Sequence, residues 1–441
     1  MKEYARYSAA KLLQMIKAGE VSVETLTRYY LDRIEKYDAK LNTVAELNPN
    51  AVAQAKEMDA MTDKSAPLFG LPMLIKDNID IAGMHTAAGS LALKDHIAQT
   101  DAPVITALKK AGALILGKTN MTEFANYTTD DMPNGFSSKG GQVYNAYDPK
   151  KDPSGSSTGS GVAMSAGFCA AAIGTDTSFS IVGCAEANGV VGFKPTHGNL
   201  STDGIVPISH TLDTAGPITK TVEDAILVYA AMRGEQPQLI GKPEQEIKLA
   251  YSTVEGWEPL KENEQKQFDT FFDDLREAGV SVSPLQHTNS RNAYMIMRYE
   301  FKHDLEQYLA GTDAKYQTLK EIVDFYEADV SRMPYGITVL RMCLDHSTGK
   351  MDDPEYIEVM KEQQQVKAAL TEELKDFDAC VMMSGTSVMH FVGFPSIALH
   401  MCYDGKWPYG AILFAPDEKK LLAAALTIEK YAKPIPMPEL A

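Results

Sequence analysis

Cysteine is scarce in this chain of 441 residues. Cys169, Cys184, Cys343, Cys380 and Cys402 are odd in number, far apart and set mostly among apolar residues. That argues against a disulfide framework and reads as reduced, buried thiols in a cytoplasmic protein. Positive charge is also short: 42 Lys+Arg against 59 Asp+Glu leave a net charge of −17. This is the wrong sign for a chain that tracks a phosphate backbone or an anionic bilayer, so no nucleic acid and no membrane is expected as a partner. No window reaches about 18 charge-free apolar residues. Lys2, Glu3, Arg6, Lys11, Lys17 and Glu20 interrupt the first thirty positions, so no signal-peptide core is expected. Internal repeats and low-complexity tracts are missing. So are H-E-x-x-H and paired C-x-x-C spacings, and the nine histidines are scattered, so neither a metal nor a cofactor is expected. Arginine does not occur between Arg33 and Arg233.

What is present is ordinary globular composition, 44% hydrophobic and 23% charged, enough for a large core. Ser8 to Met61 carries apolar residues at helical spacing (Leu12, Leu13, Ile16; Leu26, Tyr29, Tyr30, Ile34) and reads as a helical lead-in. From Gly70 to about Gly216, short apolar runs (Pro72 to Ile75, Ala113 to Leu116, Gly189 to Phe193) alternate with helical runs (Val104 to Ala111, Gly161 to Ile173). This is an α/β texture. Thr221 to Arg233 reads as a closing helix, and the polar segments after it, to about Leu374, as mostly helical cover. Strand-like runs return at Ala379 to Met383, Ser396 to His400 and Ala411 to Phe414, before a last helix at Asp417 to Ala432. Sheet elements on both sides of one helical block predict a single sheet with an insertion: lead-in 1–62, core 63–233, insertion 234–375 and C-terminal return 376–441 of one domain spanning 1–441.

Two motifs match familiar patterns and fail on context. Gly112-Ala-Leu-Ile-Leu-Gly117-Lys118-Thr119 fits the phosphate-loop spacing, but its four intervening residues are themselves a strand. Gly155-Ser156-Ser157-Thr158-Gly159 fits a nucleophile elbow centred on Ser157. The residues before it, with two prolines and four charges, do not make the required strand. What remains is a Ser/Gly turn ahead of a helix, a place suited to anion or oxyanion binding. Gly174 to Ser180 is a second polar turn. His197, His210 and Asp213 lie close in sequence, with nothing to order them into a triad. Lys76 ends an apolar strand. It either extends to solvent or, if desolvated beside a hydroxyl, becomes a general base near neutral pH.

Together these segments resemble the amidase signature family, the Ser-Ser-Lys amide hydrolases. The resemblance runs through Ser22 to Ile34, Gly70 to Asp80, Ala111 to Phe124, the Ser/Gly loop, Gly174-Thr-Asp-Thr177, Gly192-Phe-Lys-Pro-Thr196 and Gly216 to Asp224. Gly393-Phe-Pro395 and Trp407-Pro-Tyr-Gly410 match more weakly. It implies a single large mixed sheet covered by helices on both faces. It also implies hydrolysis of a carboxylic amide, with Lys76 as base, Ser156 as bridging serine behind a cis peptide, and Ser180 as the nucleophile that forms an acyl-enzyme. Backbone N–H groups of Thr177, Ser178, Phe179 and Ser180 would form the oxyanion hole, with Ser157 and Asp176 in support. The expected partner is a small-molecule amide, with room for a homodimer. Tyr299 to Leu309 and Thr318 to Val323 resemble the substrate-covering region of peptide amidase-like and acylamidase-like members. Phe179 and the methionines suggest an apolar acyl pocket, and the arginine-free core a neutral substrate. The glutaminase half (the A component) of a tRNA-dependent amidotransferase, and an amidase fold without turnover, are the other readings. The sequence departs from the family where Ser154, Thr158, Ser178 and Phe179 stand in place of glycines and Val182 in place of an arginine. The last change leaves Asp176 expected to lack its partner.

Overall fold

The computed structural model describes residues 3–254, 256, 260–383 and 385–440. The lead-in folds as α1 (Ala9–Lys17) and α2 (Val23–Leu41), capped by the hydroxyls of Ser8 and Ser22, and, after strand β1 (Val44–Leu47), α3 (Ala51–Ala60). The core continues with β2 (Pro72–Lys76), α4 (Pro103–Lys110), β3 (Leu114–Thr119) and a small hairpin, β4 (Phe136–Ser137) and β5 (Gly141–Gln142). Next come α5 (Thr158–Ala166), β6 (Ala171–Asp176), α6 (Val182–Ala187), β7 (Val191–Lys194), β8 (Thr214–Thr219) and α7 (Val222–Arg233). The following block holds β9 (Lys248–Ser252), α8 (Glu262–Glu277), β10 (Ser281–Leu285), α9 (Ala293–Ala310), α10 (Leu319–Glu327), α11 (Thr338–His346) and α12 (Pro354–Glu373). The chain closes with β11 (Ala379–Met382), α13 (Val388–Phe391), β12 (Ser396–Tyr403), β13 (Pro408–Phe414) and α14 (Glu418–Ile428).

Eleven strands form one mixed sheet in the order β1-β3-β2-β6-β8-β7-β12-β13-β11-β9-β10. β2 runs parallel to both β3 and β6, while β8, β7, β12 and β13 are antiparallel to their neighbours. Every residue of β2, β3, β6 and β8 is buried, which requires helices over both faces. The fold is therefore the α/β sheet expected, with three differences. β1 is a strand inside the stretch read as helical. The run from Gly161 to Ile173 is half helix and half strand, divided where Gly167 takes φ 71° and ends α5. The block after α7 contributes two parallel strands, β9 and β10, that widen the sheet. The phosphate-loop match is strand: Gly117 and Lys118 lie inside β3, and buried Lys118 donates to the carbonyl of His85 at 3.0 Å. No helix among the described residues is long and apolar enough to cross a membrane.

One buried carboxylate fastens the start of the lead-in to the core. Asp224, buried on α7, accepts from the N–H groups of Ala9 and Ala10 at 2.9 Å each, filling two donor positions that open α1. Replacing Asp224 with Ala strands both donors, and urea unfolding is expected to show a loss of about 2–4 kcal/mol.

Candidate active site

The parallel pairing of β2 with β6 decides where the chemistry can sit. It pairs Ile75 with Ile173, and Lys76, the last residue of β2, then reaches Thr175 near the end of β6. Lys76 is fully buried, and its Nζ lies 2.8 Å from Thr175 Oγ1, 3.3 Å from the Thr175 carbonyl and 2.8 Å from Ser156 Oγ. Burial pushes the amine down from its ordinary value to about 7, because the charged form loses its water. A neutral amine has two N–H donors and one lone pair. In that form the two Thr175 oxygens can take both donors and the lone pair is left for the Ser156 hydroxyl, whereas the charged form donates to all three oxygens. Asn78 Nδ2 also donates to Thr175 Oγ1, at 3.1 Å, and fixes that side chain.

Ser156 follows a cis peptide after Gly155. Its Oγ lies 3.0 Å from Ser180 Oγ, and its N–H donates to the same oxygen at 3.0 Å. Lys76, Ser156 and Ser180 thus form one unbroken line of hydrogen bonds. Ser157 points elsewhere, donating to the Thr175 carbonyl at 2.9 Å and accepting the Thr175 N–H at 3.2 Å. It ties the helix start to β6 and lies outside that line.

The glycine replacements noted in the sequence fall in the turn before Ser180 and in the Ser/Gly loop beside it. Phe179 and Ser154 adopt φ 65° and 60°, a left-handed conformation that strains any residue with a Cβ by roughly 1–2 kcal/mol. Thr158, by contrast, sits in the first turn of α5. Among the described residues the N–H groups of Thr177, Ser178 and Ser180 form no hydrogen bond, whereas that of Phe179 donates to His390 Nε2 at 3.2 Å. Thr177 Oγ1 donates to Asp213 at 2.6 Å, and Ile208 and Ser209 N–H hold the other Asp213 oxygen. His210 turns instead to Asp304, and His197 to the carbonyl of His210, so these histidines form no triad with Ser180.

Asp176 does not lack a partner, contrary to the expectation from Val182. Its Oδ2 accepts the Ile181 N–H at 2.6 Å, and its Oδ1 lies 3.1 Å from His390 Nδ1, a close contact outside strict hydrogen-bond alignment. Both side chains are fully buried. Burial disfavours the Asp176 anion, yet the facing His390, Lys194 and the Ile181 N–H hold the carboxyl below its ordinary value. Burial also lowers His390, which suits a neutral ring that accepts from Phe179 through Nε2 and points Nδ1 at Asp176. The rings of Phe179 and His390 lie 4.5 Å apart. Sequence reasoning missed His390, Thr175 and Asn78. Thr175 and Asn78 stand inside the quoted motifs, while His390 comes from α13 with no local signal. A cavity of about 460 Å3 lies beside the turn, lined by Ser154, Phe179, Glu186, Phe268, Met401 and Trp407 among others.

Comparison with known proteins gives a consistent picture. A family model described as Amidase matches residues 25–390. The solved peptide amidase of Stenotrophomonas maltophilia is 32% identical, covers 99% of both chains and superposes with a TM-score of 0.91. A putative amidase of Arthroderma benhamiae is 40% identical over 50% of this chain and 38% of its own length. The A component of the glutamyl-tRNA(Gln) amidotransferase of Exiguobacterium sibiricum is 32% identical over 73% of this chain and 71% of its own. The chain spans less than half the length of several of its curated relatives.

The His390 arrangement makes its own prediction. His390→Ala removes the acceptor of the Phe179 N–H and the group facing a buried carboxylate, and should cost about 3 kcal/mol in urea unfolding. His390→Gln, whose amide can both donate and accept, should lose less.

Proposed function

Because the chain belongs to the amidase family, we propose that it hydrolyses the C–N bond of a small carboxylic amide, with Lys76 as base, Ser156 as relay and Ser180 as nucleophile. The observation that carries this reading is the line of 2.8 and 3.0 Å contacts from the fully buried amine of Lys76 to Ser180. Ser180 Oγ attacks the amide carbon while its proton passes to Ser156 Oγ and the Ser156 proton passes to Lys76 Nζ. The resulting ammonium returns a proton through Ser156 to the departing amine, which leaves poorly as an anion. Water then cleaves the Ser180 ester by the same route. The open N–H groups of Thr177 and Ser178 receive the oxyanion, each contributing about 3–4 kcal/mol. Phe179 joins them only by releasing His390. We take residues 1–441 as one catalytic unit, since strands before and after the helical block lie in one sheet.

The cavity beside Phe179 suits an acyl group without negative charge, because Asp152 and Glu264 line it with one cation, Lys261, among the described residues, while burial pushes the third carboxyl there, Glu186, up to about 7. A second reading, the glutaminase half of an amidotransferase, draws on the similarity to the Exiguobacterium sibiricum protein. It predicts ammonia release only in the presence of a tRNA-binding partner.

Four outcomes test the proposal. Across a panel of simple amides the isolated chain should release ammonia, with neutral acyl groups showing lower KM than carboxylate-bearing ones. Silence on the whole panel would reject the stand-alone reading. Lys76→Ala should reduce kcat by about 10²–10⁴-fold, and Ser180→Ala should abolish labelling by a fluorophosphonate. Since the neutral amine is the active form, kcat/KM should rise with pH, about tenfold per unit below the Lys76 value near 7, and level off above it. A profile flat from pH 6 to 9 would contradict lysine as the base.

A further inference from the structure

A cluster away from Lys76 has the make-up of a metal centre. His210, in the loop before β8, places its Nδ1 3.0 and 2.9 Å from the two carboxylate oxygens of Asp304 on α9. The neighbouring His303 places its own Nδ1 2.9 Å from Asp304 Oδ1. One donor atom from each of the three residues falls within 4.8 Å of the others. The carboxylate is 5% exposed, whereas the rings are 50% and 36% exposed, so the cluster has a fixed floor and an open entrance. Behind His210, its second nitrogen, Nε2, lies 3.4 Å from Glu300 Oε1. Glu300 is fully buried and held by Thr211 Oγ1 and the Tyr356 hydroxyl.

We propose that His210, His303 and Asp304 bind one divalent cation of the zinc class, with water in the remaining position. Two imidazole nitrogens and one carboxylate oxygen suit Zn²⁺ and disfavour Ca²⁺ or Mg²⁺, which take oxygen donors. Metal–ligand bonds of about 2.0–2.1 Å in a tetrahedron put ligand atoms roughly 3.3 Å apart. The 2.9–3.0 Å separations between nitrogens and carboxylate need to open by only a few tenths of an ångström once the Nδ1 protons leave. Glu300, 3.4 Å from His210 Nε2, would complete a carboxylate–histidine–metal arrangement that favours the Nε2–H tautomer and turns the Nδ1 lone pair toward the ion. The ion would clip the 208–213 loop to α9. That loop carries Asp213, the acceptor of Thr177 Oγ1 at the start of the nucleophile turn. This inference stands independently of the proposed hydrolysis.

The test is calorimetric titration of the metal-stripped, tag-free chain with ZnCl2, paired with Co²⁺ absorption. The proposal expects one saturable equivalent, visible Co²⁺ bands typical of four-coordination, and a higher Tm in the presence of Zn²⁺. In His303→Asn and His210→Asn, whose altered side chains are partly exposed, binding should weaken more than about 100-fold and the Tm shift should vanish. Circular dichroism of each variant confirms the fold. Absence of a saturable equivalent in the parent chain, or equal binding in parent and both variants, would overturn it.

Discussion

Among the described residues no carboxylate touches the buried amine of Lys76, and the rest of the site follows from that. An amine at the end of β2 has lost its water, and only neutral oxygens from Thr175 and Ser156 replace it. Bringing a charge into such surroundings is costly, so the amine drops its proton near neutral pH. The sheet order makes this possible, because β2 lies between β3 and β6 and every residue of the three strands is buried. The parallel register that pairs Ile75 with Ile173 leaves Thr175 within reach of the Lys76 amine. Ser157 then binds both the N–H and the carbonyl of Thr175, so the start of α5, which carries Ser156 just ahead of it, is held against β6.

The nucleophile turn depends on a second buried polar group. Asp176 ends β6, accepts the Ile181 N–H beyond Ser180 and faces His390, which in turn accepts the N–H of Phe179. One carboxylate and one imidazole thereby hold both sides of Ser180. An imidazole, with no permanent charge, faces the carboxylate for which an arginine at position 182 was expected as partner. The left-handed Phe179 is tolerated because its N–H and its ring both meet His390.

Much of this was legible in the residues. The apolar runs around Pro72 and Ala113 are β2 and β3. Thr221 caps α7, and the serines and lysine singled out by motif do meet in space. The misses have physical causes. β1 is four half-exposed residues at a sheet edge, and β10 is an edge strand containing Pro284, so neither shows a buried alternation. β6 is rich in Ala and Gly, which carry little periodic signal. Its smallness is a packing requirement, since a Cβ on Gly174 would come within 2.7 Å of Ser157 Oγ. His390 was invisible because its contact with Phe179 spans 211 positions and depends wholly on the tertiary fold.

The account rests on a lysine that is neutral at physiological pH inside the folded chain. Its most direct test is an NMR titration of the Lys76 side chain, with the ε-carbon labelled and Lys76→Ala used to assign the signal. A midpoint near 7 is the result this structure predicts. A midpoint at the ordinary lysine value of about 10.4 would contradict it, because Lys76 would then be a cation unable to take the Ser156 proton.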